Sequence, residues 1–254
     1  MAKKTKTLGA TTAVNTVNAN QFFPLTDEAG NITRINLASL KAAILSGTDL
    51  NAIEDGVFIM FHRKSDDYPL MVNPHKWISY QTSGEVAEGV VVVEGGKILV
   101  VAPTEATLTW SSGEVSGGGT TTTDRLTGLN DWNGKANTAA QVKHPECNTN
   151  AHAPGFCNAY SRTNANGKGL TAGKWWLPSM GELMCIYANM TKINYALKLI
   201  TGATPLVETA YWSSTESGAA NAWYLGLGDG GCAGAWYAKA TDQGRVRPVS
   251  AFIV

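Results

Sequence analysis

The chain has 254 residues, with 20 acidic and 20 basic side chains and four cysteines. That length allows one large domain or two small ones with an attachment segment, and a formal net charge of zero leaves no field to draw nucleic acid or an anionic membrane. Hydrophobic residues make up 44% and charged residues only 16%, and 27 glycines favour strands, turns and ordered loops over a helical bundle.

Residues 1 to about 35 are polar and rich in Asn and Thr, with an apolar patch at Phe22-Phe23-Pro24-Leu25. The basic start, Met1 to Thr7, runs into no apolar stretch of the kind a secretory signal needs, so export by that route is not expected. No run approaches the roughly twenty apolar residues of a membrane span, so membrane insertion is not expected either. In Ile35 to Leu45, apolar residues at 37, 40, 44 and 45 predict a helix of about three turns ended by Ser46-Gly47. So small a segment cannot build its own core, and it is expected to dock on a partner or on copies of itself.

Gly56–His62 and Gly89–Ala102 read as strands, the second folding into a hairpin around Glu94-Gly95-Gly96. Ala106–Trp110 adds another strand, and the Gly/Ser/Thr tract from Ser111 to Thr123 reads as a surface loop. Asn133–Val142 is Ala-rich and helix-compatible until His144-Pro145 stops it. Ser179-Met180-Gly181-Glu182 is a capping box, opening a helix whose apolar stripe is Met180, Leu183, Met184, Tyr187 and Met190. Thr191–Ile200 predicts a second short helix. Strands then follow at Trp223–Leu225, at Trp236-Tyr237 and from Val246 to Val254. This order of elements predicts an α+β fold.

Between Ser217 and Gly244 the composition changes to mostly Gly and Ala with scattered polar residues, and no hydrophobic period of 2 or 3.6 runs through it. A loop of some twenty-five residues is uncommon unless it is functional and braced. An unpatterned insert between well-framed ends reads as a changeable surface on a fixed frame, which points to binding rather than catalysis.

Residues with reactive or ligating side chains do not assemble into a recognisable catalytic set. His144, Cys147, His152 and Cys157 have metal-ligand chemistry, but they sit in a polar loop without the tight pairs of a zinc site, and no metal or other cofactor is expected. Cys147 and Cys157 could pair in an oxidising setting; an unexported chain folds in a reducing one, so free thiols are expected. Cys185 falls on the apolar side of a predicted helix and reads as a buried thiol. The carboxylates of the last third, Glu208, Glu216, Asp229 and Asp242, are few for the six to eight or so oxygens that calcium takes. Cys232 has no neighbouring His or Cys to lower its pKa. Trp175, Trp176, Trp212 and Trp223 read as core, and Trp236 and Tyr237 as exposed contact residues. Arg245 and Arg247 alternate with Val246, which places both on one strand face where they can bond carbonyls of the ordered loop.

Three motifs carry a resemblance: Trp176-Leu177-Pro178-Ser179 with Glu182-Leu183, Tyr211-Trp212-Ser213-Ser214-Thr215-Glu216, and Arg245-Val246-Arg247-Pro248-Val249. In this order the chain resembles the variable proteins of diversity-generating retroelements, a family with a C-type lectin fold that includes tropism determinants of phage tail fibres. The resemblance implies an attachment or oligomerisation segment at 1–50, a connecting β region at 51–84, and a C-type-lectin-like domain at 85–254 with a variable region at about 211–252. It implies ligand contacts from Ser217, Ala219, Asn221, Tyr224, Gly226, Gly228, Asp229, Gly231, Cys232, Ala233, Ala235, Trp236, Tyr237, Ala238, Ala240, Thr241 and Asp242. In that family adenines, mostly of Asn codons, are replaced, which does not yield Trp, Lys or Gln. Trp223, Trp236, Lys239 and Gln243 would then be fixed frame residues or come from other codons. The implied partners are a host cell-surface protein or glycan, other virion tail proteins, and the chain itself as a homotrimer, with the protein carried in the virion. A cellular retroelement protein without a virion, and an enzyme resembling the formylglycine-generating group on the same fold, are the alternatives.

Overall fold

Residues 22–26, 32–36, 54–228 and 236–252 are described by the computed structural model, and the chain divides into two units, Met1–Ile53 and Glu54–Val254. In the first unit, β1 (Phe22–Thr26) pairs antiparallel with β2 (Ile32–Asn36). Ile35 and Asn36, the first two residues of the predicted helix, belong to β2. The rest of that helix, with the Leu37, Leu40 and Ile44 stripe, lies outside the described residues.

The second unit is mixed α+β. In chain order it comprises β3 (Gly56–His62), β4 (Pro69–Val72), α1 (Trp77–Thr82), β5 (Gly89–Glu94), β6 (Lys97–Val101), β7 (Ala106–Leu108), α2 (Arg125–Leu129), α3 (Gly134–Gln141) and α4 (Ala153–Ala159). After these come β8 (Arg162–Thr163), β9 (Gly169–Leu170), β10 (Trp175–Trp176), α5 (Met180–Ala188) and α6 (Met190–Leu199). The last strands are β11 (Ala210–Glu216), β12 (Asn221–Gly226), β13 (Trp236–Ala238), β14 (Gly244–Val246) and β15 (Val249–Ser250). A six-stranded sheet runs β10-β15-β6-β5-β3-β4, and a five-stranded sheet runs β13-β12-β11-β14-β7.

The strand and helix expectations hold for β3, the β5–β6 hairpin, β7, α3, α5, α6 and β12. Residues 89–93 are all buried, so both faces of β5 are covered, as an unbroken valine run requires. β3 pairs with β5 from Gly56 opposite Val93 to Met60 opposite Gly89, and with β4 from Ile59 opposite Val72 to His62 opposite Pro69, so both strands belong to the six-stranded sheet. Within the stretch expected as a connecting β region, Ile59, Met60, Phe61 and Trp77 are buried.

The main core joins both sheets through the helices. Phe61, Val90, Val92 and Val101 meet Leu183, Ile186, Ile193 and Leu197, and these meet Tyr211, Trp223 and Leu225. Trp175, Trp176, Trp212 and Trp223 are all buried, as expected for frame residues. In α5 the buried residues include Cys185 and Ile186, whereas Met184 and Tyr187 are only partly buried, so the apolar face is rotated from the expected stripe. The single terminal strand expected from Val246 is two: β14 joins the five-stranded sheet and β15 the six-stranded one. Pro248 lies between them and has no N–H to continue a ladder.

Polar groups seal the junction between α3, α5 and β11. The buried Asp131 carboxylate accepts from Thr120 Oγ1, the Asn133 amide, Asn137 Nδ2 and Thr215 Oγ1 at 2.8–3.2 Å. Glu182 completes the capping box by accepting from the Ser179 amide at 2.8 Å, and it also receives Trp176 Nε1. Burial nevertheless pushes the Glu182 carboxyl up from 4.5 to about 7, with a smaller push from Asp131. A raised folded-state pKa favours the protonated form, so this group's stabilisation is complete below pH 4.5 and is lost as pH rises through about 7. Glu182→Gln is therefore expected to flatten the fall in unfolding free energy between pH 4.5 and 8, by up to about 3 kcal/mol at about 1.4 per pKa unit. Urea titrations of both proteins across that range provide the check, and parallel curves would show that Glu182 does not titrate there.

Candidate ligand-binding surface

Within the small-residue segment, β12 and β13 occupy the two short strands expected there and pair antiparallel. β12 alternates two environments, which composition alone concealed. Trp223 and Leu225 enter the main core, while Ala222 and Tyr224 face a second cluster containing Trp110, Leu177, Trp212 and Val246. β13 lies against β12 with Asn221 opposite Ala238, Ala222 opposite Tyr237 and Trp223 opposite Trp236. Tyr224 is opposite Trp212 on β11.

This register stacks three aromatics on one face. Trp212 is buried, with its ring 5.6 Å from Tyr237 in an edge-on arrangement, and Tyr237 meets Tyr224 edge-on at 4.0 Å. Both tyrosines are half-buried. Tyr237 is thus not the freely exposed contact that its polar neighbours suggested. It is half-buried and packs edge-on against both Trp212 and Tyr224. Edge-to-face contacts of this kind hold an aromatic platform in one pose.

Among the expected contact residues that are described, Ala219, Gly228 and Thr241 are exposed, and Ser217, Asn221, Tyr224, Gly226, Tyr237, Ala238, Ala240 and Asp242 are half-buried. Asp229, Gly231, Cys232, Ala233 and Ala235 lie outside the described residues, as does the side chain of Trp236. Asp242 closes the turn after β13. Its Oδ2 accepts from the Ala238 amide at 2.9 Å while its own amide donates to the Ala238 carbonyl at 3.0 Å.

The hairpin is tied down by a buried charge pair. Lys239 Nζ donates to Glu216 Oε2 at 2.5 Å, to the Val115 carbonyl at 2.7 Å and to the Gly218 carbonyl at 2.9 Å, which uses all three ammonium protons. It also sits 4.3 Å from the Trp110 ring centroid. Burial pushes the Lys239 ammonium pKa down, and Glu216 pulls it back. Glu216 in turn accepts from the Gly117 and Gly119 amides and from Gln141. The Ser111–Thr123 tract is therefore a pinned strap beside β11, held as well by the Val115 amide on the Ala219 carbonyl and the Thr122 amide on the Glu216 carbonyl. Composition marked it as a loop. Its anchoring depends on residues about a hundred positions away, which no local pattern encodes.

Arg245 and Arg247 do share a face, but their partners differ from those expected. Both reach Glu105, at 3.1 and 2.6 Å, and Arg247 also donates to the carbonyls of Ala102 and Thr204. They brace the 102–105 segment rather than the 217–244 loop. Glu105, which also accepts from the Tyr211 hydroxyl, was not singled out by any sequence motif.

The His/Cys stretch is not an open loop either, since α4 occupies 153–159 and Cys147 and Cys157 are buried free thiols in the second cluster. Burial pushes Cys147 up to about 12 and Cys157 well above its ordinary value. A metal ligand or nucleophile must be the thiolate, which burial here opposes. His152 is engaged with Thr109 Oγ1 at 3.0 Å. Cys185 is likewise a buried free thiol.

No family model matches the chain, and no curated protein matches it. Among solved structures it is similar to a fimbrial protein from Bacteroides ovatus, with 16% identity and a TM-score of 0.43 over 61% of this chain. The chain spans about a third (35%) of that protein's length. A likeness of that degree decides neither the detailed fold nor the function. Among the described residues, no helix is long and apolar enough to cross a membrane.

Proposed function

We propose that this chain is a non-catalytic receptor-binding protein that carries a changeable surface on a C-type-lectin-like frame, at the tip of a phage tail fibre. The observation that carries the reading is the division of labour along 217–242. The residues expected to vary are half-buried or exposed wherever they are described, while Ala222, Trp223, Leu225, Leu227 and Lys239 between them are buried anchors. Side chains on such a hairpin can change without moving its backbone. Its partner is a protein or glycan of the host surface, and it needs no metal or cofactor for a non-covalent contact.

Ala219→Ser, Asn221→Ser and Thr241→Ser are expected to stay within about 0.5 kcal/mol of the parent in stability. Asp242→Ala is expected to cost about 1 kcal/mol, because it leaves the Ala238 amide without its acceptor. Adsorption to host cells should fall in the surface variants while their melting curves stay in place. Losses of more than about 2 kcal/mol in the three serine variants would mark the hairpin as core and end the reading.

Attachment and self-association are assigned to the first unit, on the strength of the Leu37/Leu40/Ile44 spacing. The full chain is expected to be a trimer by light scattering, and a chain beginning at Glu54 a monomer. Linking three weak faces can raise avidity by about 10²–10⁴ without a new contact. A monomeric full chain at micromolar concentration would remove the trimer from the proposal.

A further inference from the structure

A cleft of about 600 Å³ opens between the β5–β6 turn, α2 and α5, and no residue of the proposed hairpin surface lines it. Its floor includes the half-buried Leu129 and Met184, and its rim carries the exposed Glu94, Lys97 and Asn130. A second hollow of about 440 Å³ is lined by Trp132 with Asn133 and Lys135, so the indole stands as a wall shared by the two. Trp132 is 37% exposed and Leu126, at the edge of the first hollow, is 69% exposed. An indole left about a third exposed in a cleft keeps apolar surface available for a ligand to cover, which makes its position informative.

The indole is also held in place. Asp131, next in the chain, is buried under four donors, and its carbonyl receives the Gly181 amide at 2.8 Å. Gly181 lets Trp132 lie against α5: a Cβ there would come within 2.7 Å of the indole Nε1 and 2.6 Å of the Asp131 carbonyl oxygen. Lys97 Nζ stands 5.3 Å from the ring centroid, and Glu94 is fixed by Asn189 Nδ2 at 2.6 Å. A platform ordered before binding spares a ligand much of the entropy of ordering it.

We propose that these two hollows form a second binding site, distinct from the hairpin surface, for an oligosaccharide laid across Trp132. An indole offers an apolar face to the C–H side of a sugar ring. The carboxylate, amide and ammonium groups at the rim, from Glu94, Asn130, Asn133 and the two lysines, match its hydroxyls as both donors and acceptors. The walls come largely from helices, whose backbone groups are paired internally, so an extended peptide finds no strand edge to join. Charges of both signs at the rim favour a hydroxyl-rich ligand over an anion or a cation.

The test is to apply the full chain to a printed array of oligosaccharides, then to titrate the tightest binder calorimetrically into the parent and into Trp132→Ala, Trp132→Phe, Asn130→Ala and Tyr237→Ala. Trp132→Ala is expected to weaken binding about tenfold or more, and Asn130→Ala severalfold. Trp132→Phe should keep most of the affinity and Tyr237→Ala all of it. Asn130 is exposed, with its Nδ2 donating to the Leu126 carbonyl at 2.9 Å, and far-UV circular dichroism of Asn130→Ala checks that it keeps the fold, so its variant tests the site even if Trp132→Ala folds poorly. Absence of any saccharide binding, binding indifferent to both Trp132→Ala and Asn130→Ala, or capture of a peptide in the cleft instead would each overturn the proposal. Loss confined to Tyr237→Ala would assign the saccharide to the hairpin surface and overturn it too. Failure of the host-adsorption test, which involves the hairpin alone, would leave this one standing.

Discussion

Trp212→Ala is expected to cost about 3–5 kcal/mol, a large share of a domain's total stability. Trp212 is buried at the centre of the second cluster, donates its Nε1 proton to the Leu108 carbonyl at 2.9 Å and supports Tyr237 edge-on. Gly244 is shaped around it: a Cβ at that position would come within 2.9 Å of the indole. Truncation therefore removes buried apolar area, opens a cavity that neighbouring strands cannot close, and leaves the Leu108 carbonyl without its donor. Trp212→Phe, which keeps most of the ring, should recover part of the loss. Urea unfolding followed by far-UV circular dichroism measures both. A soluble Trp212→Ala protein with an ordinary melting curve would show that Trp212 is not the support of this sheet face, and would move it into the ligand-contacting set.

Lys239→Met is expected to be comparably severe, about 3–5 kcal/mol, because it strands the Glu216 carboxylate in the interior. The two amides and the Gln141 amide group that remain on Glu216 carry no formal charge to offset it. Adding Glu216→Gln to Lys239→Met removes the stranded charge and keeps one acceptor oxygen for one of the two glycine amides, which bond different oxygens of Glu216. The double variant should therefore be more stable than Lys239→Met alone, which is the reverse of additive damage. A Lys239→Met protein within about 1 kcal/mol of the parent would mean that the pair contributes little, and the strap at 111–123 would need another anchor. The same variant tests the binding surface, since a hairpin released from Val115 and Gly218 should lose ligand even where it still folds.

Both residues illustrate how far local pattern reaches. Trp212 was legible as frame because it lies in a fixed motif between a helix and the small-residue stretch. For Lys239, the codon pattern drawn from the resemblance left two readings open, a frame residue or one encoded by a different codon. That it is buried, paired with Glu216 and seated over Trp110 was invisible, because those partners are 23 and more than a hundred residues away in the chain. Asp242 shows the converse. Its polar, small-residue setting suggested a free contact, whereas a bond of four residues' span gives it a turn to hold.

Hydrophobic period, capping chemistry and turn residues by themselves determined the β3 strand, the β5–β6 hairpin, α3, α5 and α6, since each is decided by neighbours a few residues apart. They also marked the 217–244 stretch as different in kind. Register, sheet membership and burial of polar groups were decided only by tertiary structure. In β12, Trp223, Tyr224 and Leu225 are three consecutive large side chains, so the sequence shows no alternation although they face two different clusters. The break at Pro248 sends one run of chain into two sheets. Glu105, Asp131 and Glu216 became buried hubs because distant backbone amides, hydroxyls and cations converge on them, and that convergence exists only once the chain has folded.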